Sequence, residues 1–389
     1  MTDIGVYIHI PYCAAKCPYC DFNSYAAPQF PEARYVGAVC AEACRAAREQ
    51  PWPDPRVASI FFGGGTPSLF AAASVARLLE TVAGLWTVNR DVEITLEANP
   101  GTVSLAHLRG LRAAGINRMS FGVQSFNARH LQRLGRIHDA AEGRRAVAQA
   151  RAAGFDNVSI DLIFALPDQT CAEWRADLRE ACALQPDHVS AYSLTYEEGT
   201  PFHRWRSEGR LRPPPEDAEV AMFLLTRDSL AAAGYAPYEI SNYARPGRQC
   251  RHNLHYWRSG SYLGLGAGAH SYSGTAAEHP AGEPWGRRWS NILQPDDYIR
   301  AALTRGRALA TSEVLDERQA RGEFTFLALR CCEGVSASAF RARFGAAIEA
   351  CFPHVASLAA QGLLERVDDR WRLTARGLLL ADSVFATFL

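Results

Sequence analysis

Apolar and polar positions follow two periods along the first half of the chain. Apolar runs at residues 5–10, 58–62, 92–96, 118–123, 158–164 and 188–195 have the length of buried strands. Segments 32–50, 71–85, 104–114, 139–153 and 171–184 carry helix formers at helical spacing. Pro51 and Pro53 stop the first of these, Gly115 and Gly154 end two others, and Ser104 offers an N-cap. Six alternations with short connections predict an α/β fold with parallel strands, either a barrel or an open doubly wound sheet. In both, function collects at the C-terminal ends of the strands. Here every unusual polar or glycine-rich stretch follows its strand.

The pattern changes after Gly199. Pro213, Pro214 and Pro215 break it, residues 217–233 read as a helix and 235–241 as a strand. Residues 248–272 are rich in glycine, histidine and aromatics. A second domain is expected from Gln294, with helices over 312–332, 337–344 and 353–361, a hairpin over 363–373 and a last helix from Thr374. That order predicts a mostly helical, winged-helix-like module. Its recognition stretch has only Arg341 and Arg343 as cations, too weak a basic footprint for DNA. The expected division is 1–235, a connecting region 236–293, and 294–389.

Composition narrows the classes. The 389 residues are 48% hydrophobic and 21% charged, with 41 basic and 41 acidic side chains. The balance gives no global field for nucleic acid, and no apolar run reaches the roughly 18 residues of a membrane span. The start, Met1-Thr2-Asp3-Ile4, lacks the basic and apolar parts of a signal peptide. Eleven cysteines without repeating spacing do not predict a disulfide scaffold, and a reduced cytoplasmic setting is expected.

Three of those cysteines stand together. Cys13, Cys17 and Cys20 form a C-x3-C-x2-C loop after the first strand. Soft thiolates in one loop favour iron–sulfur, zinc or copper. Structural zinc and four-thiolate clusters want a fourth ligand, but Cys40 and Cys44 lie in a helical pattern further on. Three ligands without a fourth predict a metal centre with an open position; unrelated thiols or an incomplete zinc knuckle are the alternatives. Gly63-Gly64-Gly65-Thr66-Pro67 follows the second strand and offers bare backbone groups to a ligand. Asp161 sits inside an apolar strand, where a carboxylate needs a partner. Tyr7 and Tyr19 flank the cysteines, and His9 reads as a core histidine. Further on, Cys250-Arg251-His252-Asn253-Leu254-His255-Tyr256-Trp257 gathers two imidazoles, a phenol, a thiol and an indole. Such donors and aromatic faces suit haem, though an aromatic core turn would look the same. Gly264, Gly266 and Gly268 alternate without opening a dinucleotide-binding unit, and read as a close-packed turn.

The cysteine loop resembles that of radical S-adenosylmethionine (SAM) enzymes. The opening Tyr7-Ile8-His9-Ile10-Pro11-Tyr12-Cys13 resembles the branch containing oxygen-independent coproporphyrinogen III oxidases and HemW-type haem chaperones. The resemblance implies a partial (β/α)6 barrel and a [4Fe–4S] cluster held by Cys13, Cys17 and Cys20. It implies SAM contacts from Gly64, Gly65, Thr66, Glu97, Gln124, Arg136 and Asp161, with Tyr7 and Tyr19 nearby. It also implies haem binding at His252, Asn253, Tyr256 and Trp257, the H-N-x-x-Y-W stretch of the chaperones; Cys250 and His255 are further ligand candidates. Haem-acceptor proteins, respiratory ones among them, and a peripheral membrane association are the partners it brings to mind. The oxidase, with radical decarboxylation of propionates, is the alternative. Against it stand Phe22 where the oxidase motif has a fourth Cys, the H-N-x-x-Y-W stretch, and the six residues before Tyr7, too few for the oxidase's N-terminal arm.

Overall fold

The computed structural model describes residues 2–49, 51–52, 54–274 and 284–389. Six strands lie side by side in chain order, each pair parallel: β1 (Thr2–Ile10), β2 (Pro55–Gly64), β3 (Thr87–Ala98), β4 (Arg118–Gln124), β5 (Val158–Phe164) and β6 (His188–Ser193). The crossovers are helical: α1 (Glu32–Glu49), α2 (Ala72–Leu85), α3 (Leu105–Ala114), α4 (Ala140–Ala152) and α5 (Cys171–Ala183), with α6 (Glu216–Ala232) after β6. This is the expected partial (β/α)6 barrel. The expected helix end at Gln50 and stop at Pro53 lie outside the described residues.

Local chemistry sets these boundaries. Ser104 caps α3 by accepting from the His107 amide, and Gly115 closes it in the left-handed region at φ 115°. Asp139 with Glu142, and Thr170 with Glu173, form capping boxes on α4 and α5. Within β1, Ile4, Val6, Ile8 and Ile10 bury against the helices, each contributing about 1.5–3 kcal/mol. The alternate residues Gly5, Tyr7 and His9 face inward, because side chains alternate along a strand.

Residues 236–315 depart from expectation. They extend the barrel sheet instead of forming a connection and the start of a second domain. Two short strands, β7 (Ala236–Pro237) and β8 (Asn242–Ala244), replace the single strand expected over 235–241; between them Glu239 turns inward, fully buried. The helix α7 (Arg251–Trp257) follows, then β9 (Ser261–Leu265), β10 (His270–Gly274), β11 (Gly286–Asn291), α8 (Pro295–Arg305) and β12 (Leu309–Leu315). The sheet runs β12-β11-β10-β9-β1-β2-β3-β4-β5-β6-β8-β7. Tyr298 and Ile299 of α8 belong to the barrel core, so Gln294 marks no break. Residues 312–315, expected helical, are the end of edge strand β12.

A second core gathers from Ala320 to Phe388. It comprises α9 (Glu317–Arg330), β13 (Val335–Ser336), α10 (Ala337–Phe344), α11 (Val355–Ala360), β14 (Leu364–Val367), β15 (Arg370–Leu373), α12 (Ala375–Leu379) and α13 (Ala381–Ala386). Its small sheet runs β13-β15-β14, the mostly helical, winged-helix-like arrangement expected. The last helix is split at Leu380. Among the described residues no helix is long and apolar enough to cross a membrane.

Candidate cofactor-binding cavity

The inward residues of the parallel strands are unusually polar. β3 presents Glu93, Thr95 and Glu97; β4 presents Arg118, Ser120 and Gly122; β5 presents Ser159 and Asp161; β6 presents His188, Ser190 and Tyr192. Register places Thr95 beside Arg118, Gly122 beside Asp161 and Asp161 beside Ser190. All of them except Glu93, Thr95 and Ser159 line a cavity of about 1160 Å³ that reaches from the cysteine loop to α7, with Arg330 and residues 378–383 of the C-terminal unit on its border.

The cysteine loop forms the upper wall. Cys13, Cys17 and Cys20 all line the cavity, and none is paired in a disulfide. The glycine turn is zipped to this loop: Gly65 N–H donates to Ile10 O at 2.7 Å, Thr66 N–H to Tyr12 O at 2.8 Å, and the Thr66 hydroxyl to Cys13 Sγ at 3.4 Å. A Cβ at Gly65 would lie 2.7 Å from Tyr12 O and 3.0 Å from Cys13 Sγ, so only glycine lets the two loops approach this closely. Lys16 Nζ donates to Phe22 O and Ser24 O, 2.8 Å each, closing the loop on itself. Burial pushes the Cys13 and Cys20 thiols up, against hydroxyls of Thr66 and Ser24 that favour the thiolate.

No three His, Cys, Asp or Glu side chains among the described residues converge on a point where one metal ion could sit. The donor set is three thiols spread along one wall. That suits an iron–sulfur cluster, whose irons each take a thiolate, better than a tetrahedral zinc. Cys40 contacts Thr81 on α2 at 3.2 Å, away from this wall. Neither Cys40 nor Cys44 lines the cavity.

The remaining expected SAM residues converge below the loop. Tyr7, Tyr19, Gly64, Gly65, Thr66, Glu97, Gln124, Arg136 and Asp161 all line the cavity. Arg136 donates from Nη2 to Gly122 O at 2.7 Å and from Nη1 to Cys17 Sγ at 3.4 Å, while its buried Nε has no acceptor. Asp161 accepts from Ser190 at 2.7 Å and from Ser120 at 3.3 Å; burial still pushes its carboxyl up. Glu97 is pushed to about 8, chiefly by burial and then by the Asp161 charge, against the Gly64 amide and Arg118. Gln124 (φ 67°) and Gly64 (φ 112°) occupy the left-handed region at their strand ends, the strained positions that functional sites retain. Unfilled donors and high-lying acids in one enclosure fit a ligand carrying both charges and hydroxyls, as SAM does. Tyr7 Oη bonds His9 Nδ1 at 3.1 Å and His9 Nε2 meets Asn23 O at 2.8 Å, so His9 is the satisfied core histidine expected.

The H-N-x-x-Y-W stretch is helical, where a turn had been one expectation. As α7 it plugs the barrel beneath the strands' first residues. His252 and Tyr256, one turn apart, face the cavity with Asn253 and form its floor. His252 is engaged at both nitrogens: Nδ1 with Ser59 Oγ and Nε2 with Tyr256 Oη, each 2.8 Å. Burial holds it neutral, near 3. Three other ligand candidates do not reach the cavity. Trp257 turns away by helical rotation and carries Arg330 over its ring at 4.6 Å. His255 Nε2 is bound to Ser261 O at 2.6 Å. Cys250 is buried behind the floor with its thiol 3.5 Å from Glu93 Oε1.

Sequence reasoning missed Arg118, Ser120 and Ser190. Their signal was present: polar residues at a period of two inside apolar strands, on the same face as Glu97 and Asp161.

Residues 7–181 match the Radical SAM superfamily and residues 315–380 the HemN C-terminal domain. The heme chaperone HemW of Haemophilus influenzae is 39% identical over 397 residues, spanning 100% of this chain and 98% of that protein. Those of Escherichia coli and Bacillus subtilis are 38% and 36% identical, covering 99% of each relative and 100% and 99% of this chain. Among solved structures, coproporphyrinogen III oxidase (HemN) from Escherichia coli shares the fold, with a TM-score of 0.83 at 24% identity over 100% of this chain and 90% of that one. With full-length identity at these levels to several of its members, the chain belongs to the HemW family of the radical SAM superfamily.

Proposed function

We propose that this protein is a haem chaperone: it binds haem and passes it to acceptor proteins. The observation that carries the reading is full-length identity to proteins named heme chaperone HemW, joined to an H-N-x-x-Y-W helix whose His252, Asn253 and Tyr256 floor the cavity. Cys13, Cys17 and Cys20 would hold the [4Fe–4S] cluster that the family implies. Gly64, Gly65, Thr66, Glu97, Gln124, Arg136 and Asp161 would hold SAM beneath it, with Tyr7 and Tyr19 on its flanks. When bound and reduced, the cluster supplies the electron that cleaves SAM. This chain's own residues orient the ligand: Arg136 and Asp161 fix its charged and hydroxyl groups by charge-assisted hydrogen bonds, and the barrel wall limits water access.

For haem, the floor offers His252 Nε2 and Tyr256 Oη, which now bond each other. Ligation replaces that bond, which makes a weak ligand, as a carrier that must release its cargo requires. Phe22, in place of the oxidase's further Cys, favours the chaperone reading. A reducing cytoplasm suits a loop of three unpaired cysteines. Haem titration of the full chain, followed at the Soret band, tests the site: His252→Ala and Tyr256→Phe should weaken or shift the complex, and Trp257→Leu should affect it less. Unchanged spectra and affinity in a His252→Ala/Tyr256→Phe double variant would remove the site.

A further inference from the structure

Arg118, the first residue of β4, is 2% exposed, yet its guanidinium makes no ion pair among the described residues. Its hydrogen bond runs from Nη1 to Thr95 Oγ1 at 3.5 Å, the long limit of such a bond, and Nε has no acceptor. Arginine keeps its charge in a protein interior; Glu93 and Asp161 offset that charge through space, but neither lies within ion-pair distance, and a buried charge held without direct contacts is costly. The nearby acids are otherwise engaged. Glu93 Oε1 receives the Cys250 thiol and the His252 amide, and Asp161 receives Ser120 and Ser190. The imidazoles of His188 and His252 are neutral, held down by burial and by the Arg118 charge itself. Arg118 lines the cavity together with Tyr256 and Asn253.

We propose that Arg118 is an anchor for a carboxylate of the ligand that enters the lower half of the cavity. On the haem reading, on which this rests, that carboxylate is a propionate. A planar guanidinium is the side chain best matched to a carboxylate, through two parallel N–H···O bonds. The other carboxylate the cavity would receive belongs to SAM. That one is needed at the cysteine loop, beyond Gln124 at the far end of β4, and six strand positions separate the two ends by roughly 20 Å.

The test titrates haem and haem dimethyl ester, which has no free carboxylate, into the anaerobically reconstituted full chain at the Soret band. SAM and decarboxylated SAM are measured in parallel by calorimetry. Wild type should bind haem at least tenfold more tightly than the diester. Arg118→Gln should lose that preference with its diester affinity unchanged, and Arg118→Lys should keep part of it. SAM binding should stay within twofold. Equal binding of haem and diester by wild type overturns the assignment and needs no variant to fold, while leaving the haem reading intact. An Arg118→Gln loss shared equally by haem and diester overturns it too. Weakened binding of SAM, but not of decarboxylated SAM, would give the site to the SAM carboxylate. Absence of any haem complex overturns both readings.

Discussion

Glu97 allows the SAM site to be tested by pH. Burial and the neighbouring Asp161 charge raise its carboxyl to about 8, so near neutrality most molecules carry it protonated. Only the ionised form accepts charge-assisted bonds from an ammonium or a ribose hydroxyl. Ionising it at pH 7, one unit below that value, costs about 1.4 kcal/mol. Binding must supply this, so SAM affinity rises with pH by about tenfold per unit up to pH 8 and then levels. The sign follows from the proton competing with the ligand: fewer protons, tighter binding. Glu97→Gln removes the charge and should cost ~1.5–3 kcal/mol, or about ten- to a hundredfold in affinity, above pH 8. It should also remove this part of the pH slope. The amine of SAM titrates in the same range, so the difference between wild type and variant carries the test. Calorimetry between pH 6 and 9 in buffers of different ionisation enthalpy reads both affinity and proton release. Parallel pH profiles for the two proteins would refute the placement of Glu97 against SAM.

Two further outcomes follow from the same geometry. Replacing Cys13, Cys17 or Cys20 with Ala should abolish the cluster by iron, sulfide and visible absorbance after reconstitution, whereas Cys40→Ala and Cys44→Ala should retain it; the opposite pattern would sink the ligand assignment. Arg330 Nε lies 2.7 Å from Oε2 of the fully buried Glu239, whose Oε1 also accepts from the Ser241 amide and from Asn242, so Arg330→Ala removes one of three partners and should destabilise by about 1–3 kcal/mol, read as a fall in the urea midpoint; an unchanged midpoint contradicts that pairing.

The alternation of strands and helices was legible because the strands are short apolar runs and the crossovers are capped by local signals such as Ser104 and Gly115; the choice of a barrel over an open sheet came from the family resemblance. In the upper cavity wall the cysteine loop, the glycine turn and Asp161 stood out by their own chemistry, whereas Glu97, Gln124 and Arg136 were expected only through the family resemblance. The lower site was harder. His252, Tyr256 and Trp257 are adjacent in sequence, but a helix spreads them over different faces, and only the first two reach the cavity. The helix expected from residue 312 starts later, because β12 is almost wholly exposed. An edge strand with no buried face shows no alternation, so residues 312–315 merged with the helix after them. Of the alternating glycines read as a close-packed turn, Gly266 and Gly268 form it while Gly264 lies near the end of β9. Gly266 and Gly268 have φ of 104° and 73°, and a Cβ at Gly264 would lie 2.0 Å from His270 O. Arg118 escaped notice because a lone arginine at a strand start normally reaches solvent; its burial depends on α7 closing the barrel from below.

On the haem-chaperone reading this chain carries haem and does not decarboxylate a porphyrinogen. Anaerobically reconstituted protein, supplied with SAM and reductant, can be offered haem in one arm and coproporphyrinogen III in the other. A stoichiometric haem complex at the Soret band and no turnover of coproporphyrinogen III are expected. Multiple-turnover formation of protoporphyrinogen IX, with or without haem binding, would contradict it.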